Sequence, residues 1–303
     1  TTLPTQDATH TSAGERIISI SAAPYDGYEF PRVLESLASI GATHVEPAFI
    51  VGYTEPFDES AFTPLKARQY AAWLREHGLA CDAFSSHIDL GRADALEVFR
   101  GRMDFARAIG ARVINTNAAQ RSNEKRFYEN IAHLARHAEQ LNLCIGLENP
   151  GDGSDNLLNS ASDGAALLAA ISHPMVGLNY DAGNTISHRP ALDPAADALV
   201  AMPLCLHTHI KDVRAGAEGY FFTPLGKGQI DCAGILRRIA LTRLNLSIEI
   251  PLRLHRQANA QPSRAPYRVP IAEIEAVIAP ALAFVRHHLA VANQAQTIEA
   301  TLQ

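Results

Sequence analysis

The chain has 303 residues, of which 47% are hydrophobic and 19% are charged. These proportions are typical of a globular protein, and the lack of any low-complexity tract excludes a fibrous or disordered chain. The 26 basic and 32 acidic residues give a net charge of −6 without a block of Lys or Arg. The sequence therefore offers no polybasic surface for nucleic acid or for an anionic membrane.

The two ends of the sequence differ from the part between them. Residues 1–15 are polar and are expected to form a flexible N-terminal tail, and residues 291–303 are expected to form a C-terminal tail. No linker or shift in composition divides residues 16–290, which predicts one domain. No apolar run approaches the ~18 residues that cross a bilayer.

The four cysteines stand far apart and form no Cys-x-x-Cys pair; they are Cys81, Cys144, Cys205 and Cys232. In a chain of this size, such spacing favours buried free thiols over a disulfide framework. We therefore expect a cytoplasmic protein.

Short β-branched or apolar runs alternate along the chain with longer segments that have helical spacing of apolar residues. This alternation predicts parallel strands joined by crossover helices. The predicted strands span 16–23, 43–50, 79–85, 112–117, 143–149, 176–183, 205–212 and 246–252. The predicted helices lie near 30–41, 64–77, 92–109, 123–141, 160–172, 193–203, 231–243 and 271–289.

Residues that favour helix ends support these positions. Glycines stand where three helices should end, and Ser or Asp stands where three should begin: Gly41, Gly78, Gly110, Ser160, Asp193 and Asp231. Eight strands and eight helices predict a single-domain (β/α)8 TIM barrel. A doubly wound open sheet is the alternative, but residues 22–27 do not form its glycine-rich phosphate loop.

Two connections are longer than the others. Residues 213–230 follow the seventh strand, and the proline-rich residues 253–270 follow the eighth. Since the loops after the strands form the active face of a barrel, both segments are candidate lids or substrate contacts. Surface decoration or a subunit contact is the alternative.

Polar side chains end four consecutive predicted strands, where barrel active sites lie. They are Glu148, Asp181, His209 and Glu249. Three converging carboxylates would repel one another unless a cation neutralised them, so we predict a divalent metal site. Carboxylate and imidazole ligands suit Mn²⁺, Mg²⁺, Co²⁺ or Zn²⁺, and Mn²⁺ is our first choice.

Between Gly146 and Pro251 the sequence resembles the xylose-isomerase-like barrels of sugar isomerases, epimerases and inosose dehydratases. The four residues above match the positions of that family's ligands one by one. The stretch His209–Arg214, with residues 224–231 downstream, is most similar to the inosose dehydratase branch. The chain departs from the family at Asn184, where many members have His.

The resemblance implies a metal-dependent isomerase or epimerase acting on a ketose or keto-polyol. Glu148 and Glu249 would exchange the proton on opposite sides of the substrate, through a metal-stabilised enediolate. A lyase that dehydrates an inosose or 3-keto sugar at the same site is the alternative. A third interpretation is a barrel that binds a sugar but has lost its catalytic activity. The presence of both Glu148 and Glu249 argues against it.

Other polar residues near the strand ends are candidate contacts to the substrate: Glu46, His87, Asn117, Asn184, His207, Lys211 and Arg214. Lys211 and Arg214 could hold an anionic group, although a salt bridge to Asp212 or Glu218 is the alternative. His207 could instead lie behind the metal ligands or be a core histidine. We expect a small sugar as the partner, no nucleic acid or membrane, and a possible homo-oligomer.

Overall fold

The computed structural model describes residues 15–302, so the predicted N-terminal tail lies outside the described residues except for Glu15. The strands, in chain order, are β1 (Ile18–Ser21), β2 (His44–Glu46), β3 (Ala83–Ser85), β4 (Val113–Asn117), β5 (Cys144–Glu148), β6 (Val176–Asp181), β7 (Cys205–Ile210), β8 (Asp212–Gly216), β9 (Gly219–Thr223), β10 (Leu246–Ile248), β11 (Leu254–Arg256) and β12 (Pro262–Arg264). The α-helices are α1 (Phe30–Ser39), α2 (Pro64–His77), α3 (Ala95–Ala108), α4 (Glu124–Leu141), α5 (Ala161–Ile171), α6 (Ala182–His188), α7 (Pro194–Ala201), α8 (Cys232–Ile239) and α9 (Ile271–Leu302).

Eight of the strands form one parallel sheet in the order β2-β1-β10-β7-β6-β5-β4-β3. Its two edges meet through parallel bridges that pair His44 with Ala80 and Ala48 with Ser85. The sheet therefore closes on itself inside a ring of helices. The predicted (β/α)8 barrel and each of its eight strands are confirmed.

The ends of the helices follow the local chemistry of the sequence. Gly78 ends α2 with φ of 68°, in the left-handed region that favours glycine. The carboxylates of Asp193 and Asp231 accept backbone hydrogen bonds at the starts of α7 and α8. Ser160 precedes α5 as predicted, but its side chain makes no capping hydrogen bond.

The last helix differs from the sequence prediction. Helix α9 continues to Leu302 instead of giving way to a tail after residue 290. Its buried side chains, from Ile274 to Ala292, pack against the barrel. Among residues 15–302, α9 is the one helix with the length and mean hydropathy, 1.4, of a membrane span, and a third of that window is buried. An outer helix of a barrel passes the same test, because its inner face is apolar.

The two long connections form a second, antiparallel sheet in the order β12-β11-β9-β8. The Asp212 carboxylate anchors the loop that leaves this sheet, because it accepts hydrogen bonds from the backbone N–H groups of Gly226, Gly228 and Ile230 at 2.9 to 3.1 Å. A Cβ on Gly228 would lie 2.2 Å from Asp212 Oδ1. The motif that carried the inosose dehydratase resemblance thus ties this loop to the barrel.

The four cysteines are buried free thiols, as predicted. A cluster of aromatic side chains, including Phe62, Phe84 and Phe105, fills the space between the early strands and their helices. The inside of the barrel itself is polar, and its side chains lead directly to the candidate site.

Candidate metal centre

The four predicted ligands converge at the carboxyl ends of β5, β6, β7 and β10. Glu148, Asp181, His209 and Glu249 are between 0% and 7% exposed. Each can present one ligand atom such that all four atoms lie within 4.8 Å of one another. This convergence follows from the parallel strands, since their carboxyl ends meet at one mouth of the barrel.

The Nδ1 atom of His209 lies at the centre of this cluster. It is 2.8 Å from Glu148 Oε1, 3.2 Å from Glu249 Oε2 and 3.7 Å from Asp181 Oδ2. His209 Nδ1 and Asp181 Oδ2 are both buried, and their neighbours are charged: Nδ1 lies among the three carboxylates, and Oδ2 lies 2.9 Å from Lys211 Nζ. Three buried carboxylates around one imidazole nitrogen repel one another unless a cation lies among them. The residues therefore fit a metal ion.

The electrostatics of the cluster also suit a cation. Burial would raise the pKa of the Glu148 carboxyl, but His87 and His209 outweigh burial and lower that pKa to about 2. The pKa of Glu249 is likewise held well below its usual value, against burial, by Lys211 and His209. Both carboxylates are ionised at neutral pH. Three carboxylates and one imidazole are oxygen and nitrogen ligands for Mg²⁺, Mn²⁺ or a similar divalent ion.

The second oxygen of each glutamate faces a different donor. His87 Nε2 donates to Glu148 Oε2, while Lys211 Nζ donates to Glu249 Oε1 at 2.7 Å. Lys211 also lies 2.9 Å from Asp181 Oδ2. Lys211 therefore pairs with the ligand carboxylates and not with Asp212.

The Nε2 atom of His209 points to a different carboxylate. It donates to Glu46 Oε1 at 2.6 Å. Ser85 and Ser247 each donate to Glu46 at 2.8 Å, so the Glu46 carboxylate is satisfied although it is fully buried. A carboxylate behind a ligand histidine fixes the orientation and tautomer of its ring. This arrangement assigns Glu46 a positioning role beneath the site.

Glu46, His207 and His209 form a second group with the spacing of metal ligands. His207 Nδ1 lies 3.0 Å from Asn179 Oδ1, and its Nε2 lies 3.3 Å from Ser247 Oγ. Burial lowers the pKa of His207 to about 4. His207 is therefore a neutral, hydrogen-bonded histidine of the barrel interior.

A cavity of about 300 Å³ opens above the ligands. Its walls include four of the predicted substrate contacts: His87, Asn117, Asn184 and Lys211. Asn184, in the position of the family's histidine, donates to Asn149 O at 2.9 Å and accepts from Lys211 at 3.1 Å.

Three predicted substrate contacts lie away from this cavity. Glu46 and His207 are buried below it, 0% and 1% exposed. Arg214 is exposed on β8, where its guanidinium stacks 4.9 Å from the centre of the Phe221 ring. The structure thus places these three residues outside the cavity, because strand position alone does not distinguish the mouth of the barrel from its interior.

Four further side chains line the wall above the ligands and were not predicted individually: Tyr53, Phe222, Arg253 and Arg256. The unusual length of the connections at 213–230 and 253–270 was the sequence signal for three of them. Tyr53 lies in the loop after β2, to which no sequence signal pointed.

Comparisons with known proteins agree with this geometry. A profile described as "Xylose isomerase-like TIM barrel" matches residues 34–267. No curated protein matches the sequence.

Several solved structures share the fold. The D-psicose 3-epimerase of Clostridium cellulolyticum H10, solved with D-tagatose, is 14% identical with a TM-score of 0.70, over 90% of this chain and 99% of the other. A xylose isomerase-like barrel protein from Mycobacterium smegmatis, in complex with magnesium, is 17% identical with a TM-score of 0.67, over 90% and 97%.

A third structure is a probable 3-DHS dehydratase from Bacillus anthracis, 16% identical with a TM-score of 0.60, over 77% of this chain and 92% of the other. Identities this low establish the fold and not the reaction. The profile match covers most of the chain, so the protein belongs to the xylose isomerase-like TIM barrel family.

Proposed function

We propose that this protein is a divalent-metal-dependent isomerase or epimerase of a ketose or keto-polyol, with Glu148 and Glu249 as its acid and base. The observation that carries the proposal is the cluster of ligand atoms on the floor of the cavity. Within it, three buried carboxylates surround His209 Nδ1 at 2.8 to 3.7 Å. Carboxylates this close repel one another, and a divalent cation among them would relieve that repulsion.

Each glutamate is arranged for proton transfer. One oxygen of Glu148 and one of Glu249 face His209 Nδ1, while the other oxygen of each faces a separate donor. A divalent cation held by the four ligands would act as a Lewis acid that makes the proton beside a substrate carbonyl easier to remove. One ionised glutamate would then remove this proton from the substrate carbon, and the other, having taken up a proton from solvent, would return it to the opposite face, after which the first releases its proton to solvent.

Two further residues stabilise the ionised forms of the glutamates. His87 donates to Glu148, and Lys211 donates to Glu249.

The test is solvent exchange at the substrate carbon. The Mg²⁺-loaded protein in D₂O should introduce deuterium beside the carbonyl of a ketose in a panel of ketoses and inososes, while the hydroxyl groups are retained, as followed by NMR. Mg²⁺ is used because paramagnetic Mn²⁺ would broaden the signals. Loss of a hydroxyl group with formation of an enone or diketone would establish a dehydratase instead, and no exchange across the panel would count against both enzymes.

A dehydratase is the second candidate. It is supported by the fold shared with the probable 3-DHS dehydratase and by the His209–Arg214 stretch, whose Asp212 anchors the following loop. The two reactions begin with the same proton abstraction and differ in whether the substrate has a leaving hydroxyl β to the carbonyl.

Two narrower points stay predictions. Mn²⁺ is our choice of native metal, although a magnesium complex of a neighbouring barrel supports divalent ions in general. Buried free thiols support the predicted cytoplasmic location.

A further inference from the structure

Four cationic side chains line the cavity, and three of them pair with carboxylates: Arg92 with Asp94 at 2.8 Å, Lys211 with Glu249 at 2.7 Å, and Arg253 with Glu55 at 2.8 Å. The fourth is Arg256, at the end of β11. Within residues 15–302, no carboxylate oxygen lies within 4.0 Å of its guanidinium nitrogens. Arg256 thus differs from every other cation in the cavity wall.

Arg256 is buried although no carboxylate lies within ion-pair distance of it. It is only 5% exposed. Its Nη1 donates to Ala260 O at 3.0 Å, which is its one hydrogen bond to the described part of the chain. The guanidinium lies 5.2 Å from the centre of the Tyr53 ring. Its Nε and Nη2 donors are therefore left for a ligand.

The chain makes room for this guanidinium at Gly151. A Cβ at that position would lie 2.7 Å from Arg256 Nη2 and 2.9 Å from both Cζ and Nε, over the face of the guanidinium. Gly151 follows the ligand Glu148 by three residues, and both line the same cavity. The face of the Arg256 guanidinium therefore packs on the loop that leaves the metal centre.

A buried guanidinium without a counter-ion is costly, so it indicates a ligand that supplies one. The nearest candidate within the wall is Asp152, but its carboxylate accepts from Ser154 N at 3.0 Å and Ser154 Oγ at 2.7 Å and forms no ion pair with Arg256. A planar fork with two free donors binds carboxylate or phosphate oxygens in pairs.

We infer that Arg256 binds an anionic group of the substrate, a carboxylate or a phosphate, while the metal centre holds the end that reacts. The inference rests on the proposed function and narrows its substrate class. The substrate is then a keto-sugar acid or a keto-sugar phosphate, and a neutral ketose is a poor mimic of it.

Calorimetric titration of the Mg²⁺-loaded protein tests this directly, with D-fructose, D-fructose 6-phosphate, D-fructuronate and inorganic phosphate as probes. At least one anionic sugar should bind about tenfold or more tightly than D-fructose, and the better of the two identifies the anion. Arg256→Gln should abolish the preference, while Arg256→Lys should keep part of it because the charge remains. Arg92→Gln is the control, since it removes a cation of the cavity wall that already has a partner.

Gly151→Ala offers a second route that leaves the arginine in the chain. The added methyl group would displace the guanidinium and should weaken binding of the anionic sugar without changing binding of D-fructose. Equal binding of anionic and neutral sugars, or an anion preference that survives in Arg256→Gln, would overturn the inference. If deuterium exchanges into neutral ketoses and anionic sugars bind no more tightly, the anion-binding role of Arg256 is refuted and the proposed reaction is not. If anionic sugars bind tightly but no deuterium exchanges, the proposed reaction is refuted and the role of Arg256 is not.

Discussion

The two sides of the His209 ring have opposite surroundings. On the Nδ1 side lie three carboxylates and an open cavity. On the Nε2 side, Glu46 is fully buried and accepts from His209, Ser85 and Ser247. Both sides contain buried acidic and histidine side chains at ligand spacing. Only the Nδ1 side brings three carboxylates together beneath a cavity.

The contrast shows which observation identifies a functional cluster. Clustering of acidic and histidine residues is shared by the two sides and therefore does not distinguish them. The number of carboxylates does, because three around one imidazole call for a cation, whereas the single Glu46 carboxylate is satisfied by His209, Ser85 and Ser247. The Nδ1 side is built for a ligand from outside the chain, and the Nε2 side is built to hold the ring in place.

The largest effect is expected from Glu249→Gln. This change keeps the shape of the side chain but removes the basic oxygen, so solvent deuterium exchange should fall by about 10²- to 10⁴-fold. NMR in D₂O measures the rate, and circular dichroism checks the fold. Glu218→Gln, on an exposed turn, is the matched control. A fully active Glu249→Gln protein would exclude the proposed mechanism.

The affinity for a metal ion should distinguish the two sides of the His209 ring. Asp181→Asn removes a charged ligand and should weaken Mn²⁺ binding by more than about 100-fold. His207→Gln alters only the interior network and should change it by a few-fold at most. Calorimetric titration of metal-free protein with Mn²⁺ measures both. If the two variants lost metal equally, the assignment of the ion to the Nδ1 side would be wrong.

A smaller effect is expected from Glu46→Gln. The amide can still contact Ser85 and Ser247, but it no longer fixes the His209 ring through a charged acceptor. Metal affinity should fall by about 10- to 100-fold, which is typical for a partner behind a ligand histidine. The same Mn²⁺ titration gives the value, and the unfolding temperature controls for damage to the fold. If the Mn²⁺ affinity were unchanged, Glu46 would have no role in positioning the His209 ring for the metal.

The smallest effect is expected from His188, a histidine whose two ring nitrogens both have hydrogen-bond partners. Its Nδ1 accepts from Gly153 N at 2.9 Å, and its Nε2 donates to Asn159 Oδ1 at 2.8 Å. Burial, with Arg189 nearby, lowers its pKa to about 4. The folded state therefore disfavours the protonated ring, and its contribution to stability is present above about pH 6.5 and is lost as the pH falls through 4.

Because the pKa of His188 is lowered, the free energy of unfolding should fall by about 2 kcal/mol when the pH is changed from 7 to 5. Urea denaturation at the two pH values measures it. His188→Gln should be less stable at pH 7 but should lose less stability on acidification than the native chain. Parallel losses in the two proteins would show that other groups control this pH range.

Much of the barrel could be predicted because its signals are local. Apolar runs located the eight strands, and Gly78, Asp193 and Asp231 mark helix ends through their own backbone and side-chain preferences. The second sheet was missed, since it consists of two short hairpins, β8–β9 and β11–β12, that are joined only by the long-range pairing of β9 with β11. The extension of α9 past residue 290 was missed because its side chains beyond Ala292 are mostly exposed.

The sequence by itself determined that Glu148, Asp181, His209 and Glu249 would meet, because parallel strands bring their carboxyl ends to one mouth. Only the tertiary structure decided that Glu46, also at a strand end, lies beneath the site. That outcome depends on the register and tilt of all eight strands, which no local pattern encodes. The same holds for Arg256, whose missing counter-ion became visible only when the connections folded over the cavity.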